Sequence, residues 1–220
     1  MKLFDTSRPE NYVVLVHGFM RRGSNMRYLA RELERRGYCA LVPTLPTTFR
    51  NVETCGELLY RYLEGCLAGE RIVHFVGHSM GGLVVRHFLS RHAVEGLGRV
   101  VLMGTPNRGT RHSNRLLAFS ILRRVFQSLP DLAEPGPAIA PPLNASAPEI
   151  GIIVGTHPDP IRQRLLHGEN DGLVTTESVQ GVSACDEIRV PCPHERLHWR
   201  PDTAEAIDIF LRTGKFKKNS

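Results

Sequence analysis

Residues 72–83, IVHFVGHSMGGL, constrain the fold of this chain more than any other stretch. An apolar, β-branched run leads straight into the pentapeptide Gly77-His78-Ser79-Met80-Gly81, and a helix-like run follows it. A strand that turns sharply into a helix holds the central residue in a strained backbone conformation and lifts its side chain clear of the sheet. Only small residues fit around such a turn: Gly77 and Gly81 supply the room, and Gly82 lets the helix pack close to the strand. A serine presented in this way is within reach of a base, which makes Ser79 a candidate nucleophile. The plainer reading is a glycine-rich βα turn carrying an incidental serine, and the flanks and downstream partners argue against it.

The rest of the chain repeats the alternation. Apolar strands are expected at residues 12–16, 38–42, 72–76, 100–103, 150–154 and 187–190, and helices at 24–36, 53–67, 80–92 and 203–213. Strands that alternate with helices build an α/β architecture, a mostly parallel sheet of about six strands flanked by helices on both faces. Ser24 and Gly37 are expected to cap the first helix, and Pro201 with Asp202 to open the last. At 220 residues and 41 % hydrophobic composition the chain suits a single domain over residues 1–220. Residues 106–149 break the rhythm with a helical stretch at 116–129 and then a run rich in Pro and Ala, a candidate cap or lid insertion. Leu117, Ile121, Leu122, Val125 and Leu129 fall at helical spacing there. Such a stripe suits packing onto the sheet, and it also suits the inner face of a cap that meets an acyl chain.

The formal net charge of +6 raises the question of nucleic acid or membrane partners, and its distribution answers more than its size. Arg27, Arg31 and Arg35 recur on one helix with Glu32 and Glu34 interspersed, as on a solvated face. With Lys215, Lys217 and Lys218 in the tail, this leaves room for weak association with an anionic membrane surface. No aromatic-interleaved basic stretch points to nucleic acid. The first residues hold only Leu3 and Phe4 ahead of Asp5, and no apolar run approaches bilayer length, so a cytoplasmic location is expected. Five cysteines without CxxC spacing (Cys39, Cys55, Cys66, Cys185, Cys192) are expected as thiols, a Cys185–Cys192 pair being the one alternative.

A serine at such an elbow needs an oxyanion hole, a base and a carboxylate. Donors preorganised where negative charge develops dominate acyl-transfer catalysis. The backbone N–H of Met80, just after the serine and at a helix N-terminus, is one candidate, and that of Phe19, in the loop after the first strand, is the other. His17 in that loop is expected to fix it by hydrogen bonds rather than to act as a base. The carboxylate orients the base and stabilises its imidazolium form. Asp171, in HGENDGLVTTES, is the candidate because Gly172 permits a tight turn and Leu173 and Val174 re-enter the core; Glu169 is the fallback. Asp159, between two prolines, reads as a surface turn residue. The base is expected from the end of the chain, where His194 follows the last strand and His198 stands four residues on.

His194, Glu195 and His198 also spell HExxH, the signature of zinc proteases. That motif works on an α-helix, where i and i+4 share a face and ligate the metal together. Here Pro191 and Pro193 precede it, Pro201 follows it, and no third ligand appears downstream. No metal or cofactor is therefore expected.

With VLVHGF, VGHSMGG, VLMGTPNRG, NDGLVTTES and the terminal PCPHERLHWRPDTAEAIDIFLRTGKF in place, the chain resembles the α/β-hydrolase superfamily, in particular its small bacterial lipase and esterase-like members. In such relatives the base is followed seven residues later by proline, here Pro201, and a Phe-Leu pair ends the last helix, here Phe210 and Leu211. The resemblance thus favours His194 over His198, and it implies Ser79 as nucleophile, Asp171 as acid, and Phe19 and Met80 as oxyanion donors. Thr175 stands where the acid turn usually carries proline, and the antiparallel strands that often begin the fold are absent, which implies a minimal α/β-hydrolase fold. The expected reaction is hydrolysis of a small-molecule carboxylic ester through an acyl-enzyme. A thioesterase, an acyltransferase and a non-enzymatic binding module are the alternatives.

Overall fold

The computed structural model describes residues 11–67, 71–139, 141–144, 147–158 and 166–217. Six strands form one sheet: β1 (Asn11–Val16), β2 (Tyr38–Leu41), β3 (Ile72–His78), β4 (Leu97–Met103), β5 (Ile150–Gly155) and β6 (Asp186–Val190). Their order is β2-β1-β3-β4-β5-β6, and every neighbouring pair is parallel. Parallel neighbours need crossover connections, so helices cover both faces of the sheet. Side chains alternate accordingly. Val14, Val16, Phe75, Val100 and Leu102 pack with α2 (Val52–Glu64) and α3 (Met80–Arg91). Val13, Leu15, Val76, Val101 and Met103 pack with α1 (Arg27–Glu34) and α8 (Pro201–Thr213). Each such buried side chain contributes roughly 1.5–3 kcal/mol relative to an exposed one.

All six expected strands form, and three of the four principal helices start within two residues of expectation. Asn51 caps α2 by accepting from the Thr54 N–H, and α8 opens on Pro201 and closes on a left-handed Gly214 at φ 76°. The first helix departs. Ser24 lies inside a 3-10 turn over Gly23–Met26 and caps nothing, and the α-helix starts only at Arg27. Gly23 sits so close to the Val42 and Pro43 carbonyls that a Cβ there would lie 2.9 Å and 3.0 Å from them, which calls for the tighter turn. At the other end Arg35 is the cap, and Gly37, at φ 97°, turns the chain into β2.

The segment after β4 holds three short helices where one over 116–129 was expected: α4 (Arg111–Leu117), α5 (Ser120–Val125) and α6 (Leu129–Leu132). Pro130 lacks an N–H and is tolerated only in a first turn, so a new helix begins there. α6 is anchored: Leu129 and Leu132 are buried, and the Asp131 carboxylate accepts from the Val52 N–H at 2.6 Å. α5 is not. None of its residues is buried, and Ile121 is 70 % exposed, so packing of the expected stripe onto the sheet fails for this helix. Its inner residue Leu122 and its C-cap Phe126 are half-buried. The Phe126 ring meets Phe19 edge-on at 5.8 Å and stacks on Phe49 at 6.3 Å.

All five cysteines are free thiols, Cys185 exposed and Cys192 buried. Among the described residues, no helix is long and apolar enough to cross a membrane.

Candidate active site

Ser79 stands between β3 and α3 with φ 55° and ψ −129°, a left-handed backbone on a residue that has a Cβ. Strain of this kind costs of order 1–3 kcal/mol and persists only where the surroundings over-determine it. They do so here. The Ser79 N–H donates to the Met103 carbonyl at 2.8 Å, continuing the ladder to β4, while its carbonyl accepts from Gly82 N–H at 3.0 Å. A Cβ on Gly77 would strike the Gly82 backbone, and one on Gly81 would strike the Val16 and His17 carbonyls, so the turn closes only with glycine at both. The result is a half-buried serine at the carboxyl end of the sheet.

The loop after β1 lies against it: a Cβ on Gly18 would come within 2.9 Å of the Ser79 Cβ and 3.4 Å of its Oγ. This loop is tied from behind. The buried His17 accepts the Leu45 N–H at Nε2 (3.0 Å), which leaves Nδ1 as the protonated nitrogen toward the Gly18 carbonyl at 3.1 Å. Burial holds the His17 pKa below its ordinary value, in keeping with a neutral structural ring. Thr47 donates its hydroxyl to the same Gly18 carbonyl at 2.8 Å. In a trans peptide C=O and N–H point opposite ways, so anchoring the Gly18 carbonyl turns the Phe19 N–H away from His17 and Thr47. Sequence reasoning gave no signal for Thr47. It is one of three threonines in PTLPTTF, thirty residues from His17 in the chain. Met80, fully buried, is the first residue of α3, where N–H groups have no partner within the helix.

Asp171 and His194 meet in the interior. Asp171 Oδ2 and His194 Nδ1 are 2.6 Å apart, with side-chain exposures of 1 % and 4 %. The other oxygen, Oδ1, accepts the N–H groups of Leu173 (3.0 Å) and Val174 (2.8 Å), and the His194 N–H donates to the Asp171 carbonyl at 3.0 Å. The turn is built by its neighbours: Gly172 at φ 97°, the Asn170 side chain accepting from its N–H, and Thr175 capping the short α7 (Thr176–Val179). Glu169, the fallback acid, is engaged elsewhere, accepting from Thr176 Oγ1 and from Arg189. Asp159 lies outside the described residues.

His194 also sits over the end of β4, where a Cβ on Gly104 would be 3.1 Å from its Cε1. His78, immediately before the serine, reaches it from below: its Nε2 lies 3.0 Å from the His194 carbonyl oxygen and donates to it, and the two rings are 4.9 Å apart. His198 completes a histidine cluster with its ring 4.6 Å from that of His78. Burial pushes His78 well below its ordinary range, and burial with the nearby charges of His194 and Arg21 pushes His198 down to about 4. Neither ring nitrogen of His198 has a hydrogen-bond partner among the described residues.

The HERLH stretch belongs to a 3-10 helix over His194–Trp199, bounded by Pro193 and Pro201. At three residues per turn, i and i+4 diverge by roughly 120° instead of the roughly 40° of an α-helix, so the two histidines do not share a ligating face. Among the described residues, no group of three or more His, Cys, Asp or Glu side chains is placed to hold a metal ion.

A parallel sheet with a strained serine between β3 and α3, and with an acid and a histidine on later loops at the same edge, is the arrangement of one large class of proteins. A family model described as the alpha/beta hydrolase family matches residues 13–207, and the chain belongs to that family. Solved structures agree on the fold. A lipase of Bacillus licheniformis in its mature form superposes with a TM-score of 0.70 at 17 % identity, covering 96 % of this chain and 95 % of that one. A metagenomic carboxyl esterase gives 0.69 at 14 % identity over 87 % and 66 % of the two chains, and an esterase from Exiguobacterium antarcticum 0.61 at 15 % over 92 % of each. No curated protein matches the sequence.

Proposed function

We propose that the protein is a serine-dependent hydrolase of carboxylic esters that works through an acyl-enzyme. Ser79 attacks the ester carbonyl while His194 takes its proton. Asp171 holds the imidazole in the tautomer whose Nε2 carries the accepting lone pair, and stabilises the imidazolium that forms. The N–H groups of Phe19 and Met80 receive the oxyanion, and water, activated by His194, releases the acid. The observation that carries this reading is the buried 2.6 Å Asp171–His194 pair lying at the same sheet edge as a serine held at φ 55°. The names of the structural neighbours, a lipase and two esterases, favour an ester over other acyl compounds. Phe126 over Phe19 supports a further reading of residues 106–149 as a cap, with Leu122 and Phe126 meeting the acyl chain.

The test is labelling and turnover together. A fluorophosphonate probe is expected to label the protein and to fail on a folded Ser79→Ala variant. A panel of p-nitrophenyl esters of graded chain length, run beside an acyl-thioester, should show ester turnover that the variant lacks. Labelling that survives the substitution would remove Ser79 from its role, and faster cleavage of the thioester would make the protein a thioesterase.

A further inference from the structure

The stretch from Asn107 to Pro130 contains five arginines, Arg108, Arg111, Arg115, Arg123 and Arg124, and no Asp or Glu. Arg108 pairs with Glu177 and Arg111 with Glu134. Among the described residues, Arg115, Arg123 and Arg124 have no carboxylate partner, and all three are exposed. On the same small surface Phe119, Ile121 and Val125 are 61 %, 70 % and 46 % exposed. Ile121 and Val125 lie one turn apart on α5 with Arg124 beside them. An open hollow of about 510 Å³ runs next to this face, lined by Leu117, Ala118, Ser120, Arg123 and Arg124. Large apolar side chains facing water next to unpaired cations are not a solvated helix face, which would carry mixed charges.

We propose that the α4–α5 face is a docking surface for an anionic lipid surface. The arginines meet the charged headgroups, and Phe119, Ile121 and Val125 enter the boundary between headgroups and acyl chains. Charge complementarity decides the occupant. A second copy of the chain would bring arginine against arginine across a two-fold axis. A nucleic acid satisfies the arginines chiefly through its phosphates and sugars, contacts that leave the exposed Phe119, Ile121 and Val125 largely unused. A lipid surface uses both kinds of residue at once. The far end of α5 carries Phe126, which packs on Phe19 next to Gly18 and Ser79, so docking would bring the mouth of the site to the lipid. That consequence rests on the ester-hydrolase reading, whereas the docking does not.

Vesicle sedimentation of the Ser79→Ala protein separates the two, because binding is read without turnover. The protein is expected to sediment with vesicles of equal phosphatidylglycerol and phosphatidylcholine and to stay in solution with phosphatidylcholine alone. Arg123→Glu with Arg124→Glu should weaken binding on the order of tenfold or more. Ile121→Ser with Val125→Ser should weaken it too. Arg27→Glu with Arg31→Glu, the same charge change on the exposed face of α1, should not, and all variants should keep the parent melting temperature. The proposal is overturned if the α1 variant loses as much as the Arg123→Glu, Arg124→Glu variant, or if the Ile121→Ser, Val125→Ser variant binds vesicles as the parent does. It is also overturned if a DNA oligonucleotide is bound with the same arginine dependence and no apolar dependence, or if Ile121→Ser dissolves a dimer seen by sedimentation velocity. Docking without fluorophosphonate labelling of the wild-type protein would leave this surface standing and remove the hydrolase reading.

Discussion

Asp171 uses both carboxylate oxygens at once, one on the Leu173 and Val174 N–H groups and one on His194, at 1 % exposure. The first pair of bonds fixes the carboxylate plane, so the second fixes the imidazole. Asp171→Asn keeps the shape but presents an amide that cannot stabilise an imidazolium and favours the wrong tautomer. Turnover is expected to fall on the order of 10⁴-fold while the melting temperature changes far less. Glu169→Gln, whose parent carboxylate serves Thr176 and Arg189, should leave kcat nearly unchanged. Steady-state kinetics on the two variants decides between them, and the reverse ranking would move the acid. The histidines divide in the same way. His194→Ala is expected to lose activity by several orders of magnitude. His198→Phe fills the same space against His78, removes two buried nitrogens that have no partner, and should leave kcat within about threefold and stability equal or higher. Equal losses for the two would refute the assignment of His194 as base.

At the scale of elements, α5 and α6 behave as opposites although they are neighbours in the chain. α6 is tied to α2 through Asp131 and buries Leu129 and Leu132, whereas α5 buries nothing and touches the site through Phe126. Truncating a core side chain costs about 2–5 kcal/mol, and truncating a half-buried one costs less. Leu122→Ala and Phe126→Ala are therefore expected to shift the preferred acyl-chain length in the p-nitrophenyl ester panel with little change in melting temperature. Leu129→Ala should do the converse. A large stability loss for Phe126→Ala at unchanged chain-length preference would place Phe126 in the core and take α5 out of the cap.

For the whole molecule, the buried histidines set the acid limit of stability. Burial holds His198 and His74 at about 4 in the folded protein, against an ordinary 6.5. Between those values the unfolded chain binds protons that the folded sites refuse, so stability is full above about pH 6.5 and falls as pH drops toward 4. For His198 alone the loss by pH 4 is on the order of 3 kcal/mol. Urea unfolding at pH 7 and at pH 4.5 should show this drop, and His198→Phe should recover part of it. A His198→Phe protein with an undiminished drop would show that the ring is not the group responsible.

Much of this protein is set by local chemistry and is therefore legible in the chain. The strand-elbow-helix at 72–83 follows from β-branched residues followed by glycines, since only that composition allows the Gly77–Gly82 approach and the strained Ser79. The strands follow from runs of apolar residues, and the parallel sheet from their alternation with helices. That the Asp171 turn would face a histidine from the end of the chain was legible by order and turn chemistry, whereas the preference for His194 over His198 came from the family resemblance. Other features depend on groups far apart in sequence, and only the tertiary structure decided them. Thr47 on the Gly18 carbonyl and His78 on the His194 carbonyl are contacts of this kind. So is the division of residues 116–129, whose apolar spacing reads the same whether a helix lies on the sheet or stands off it. Periodicity reports which side chains share a face, but what that face meets is settled by the elements that arrive from elsewhere, here Asp131 onto α2 and Phe126 onto Phe19.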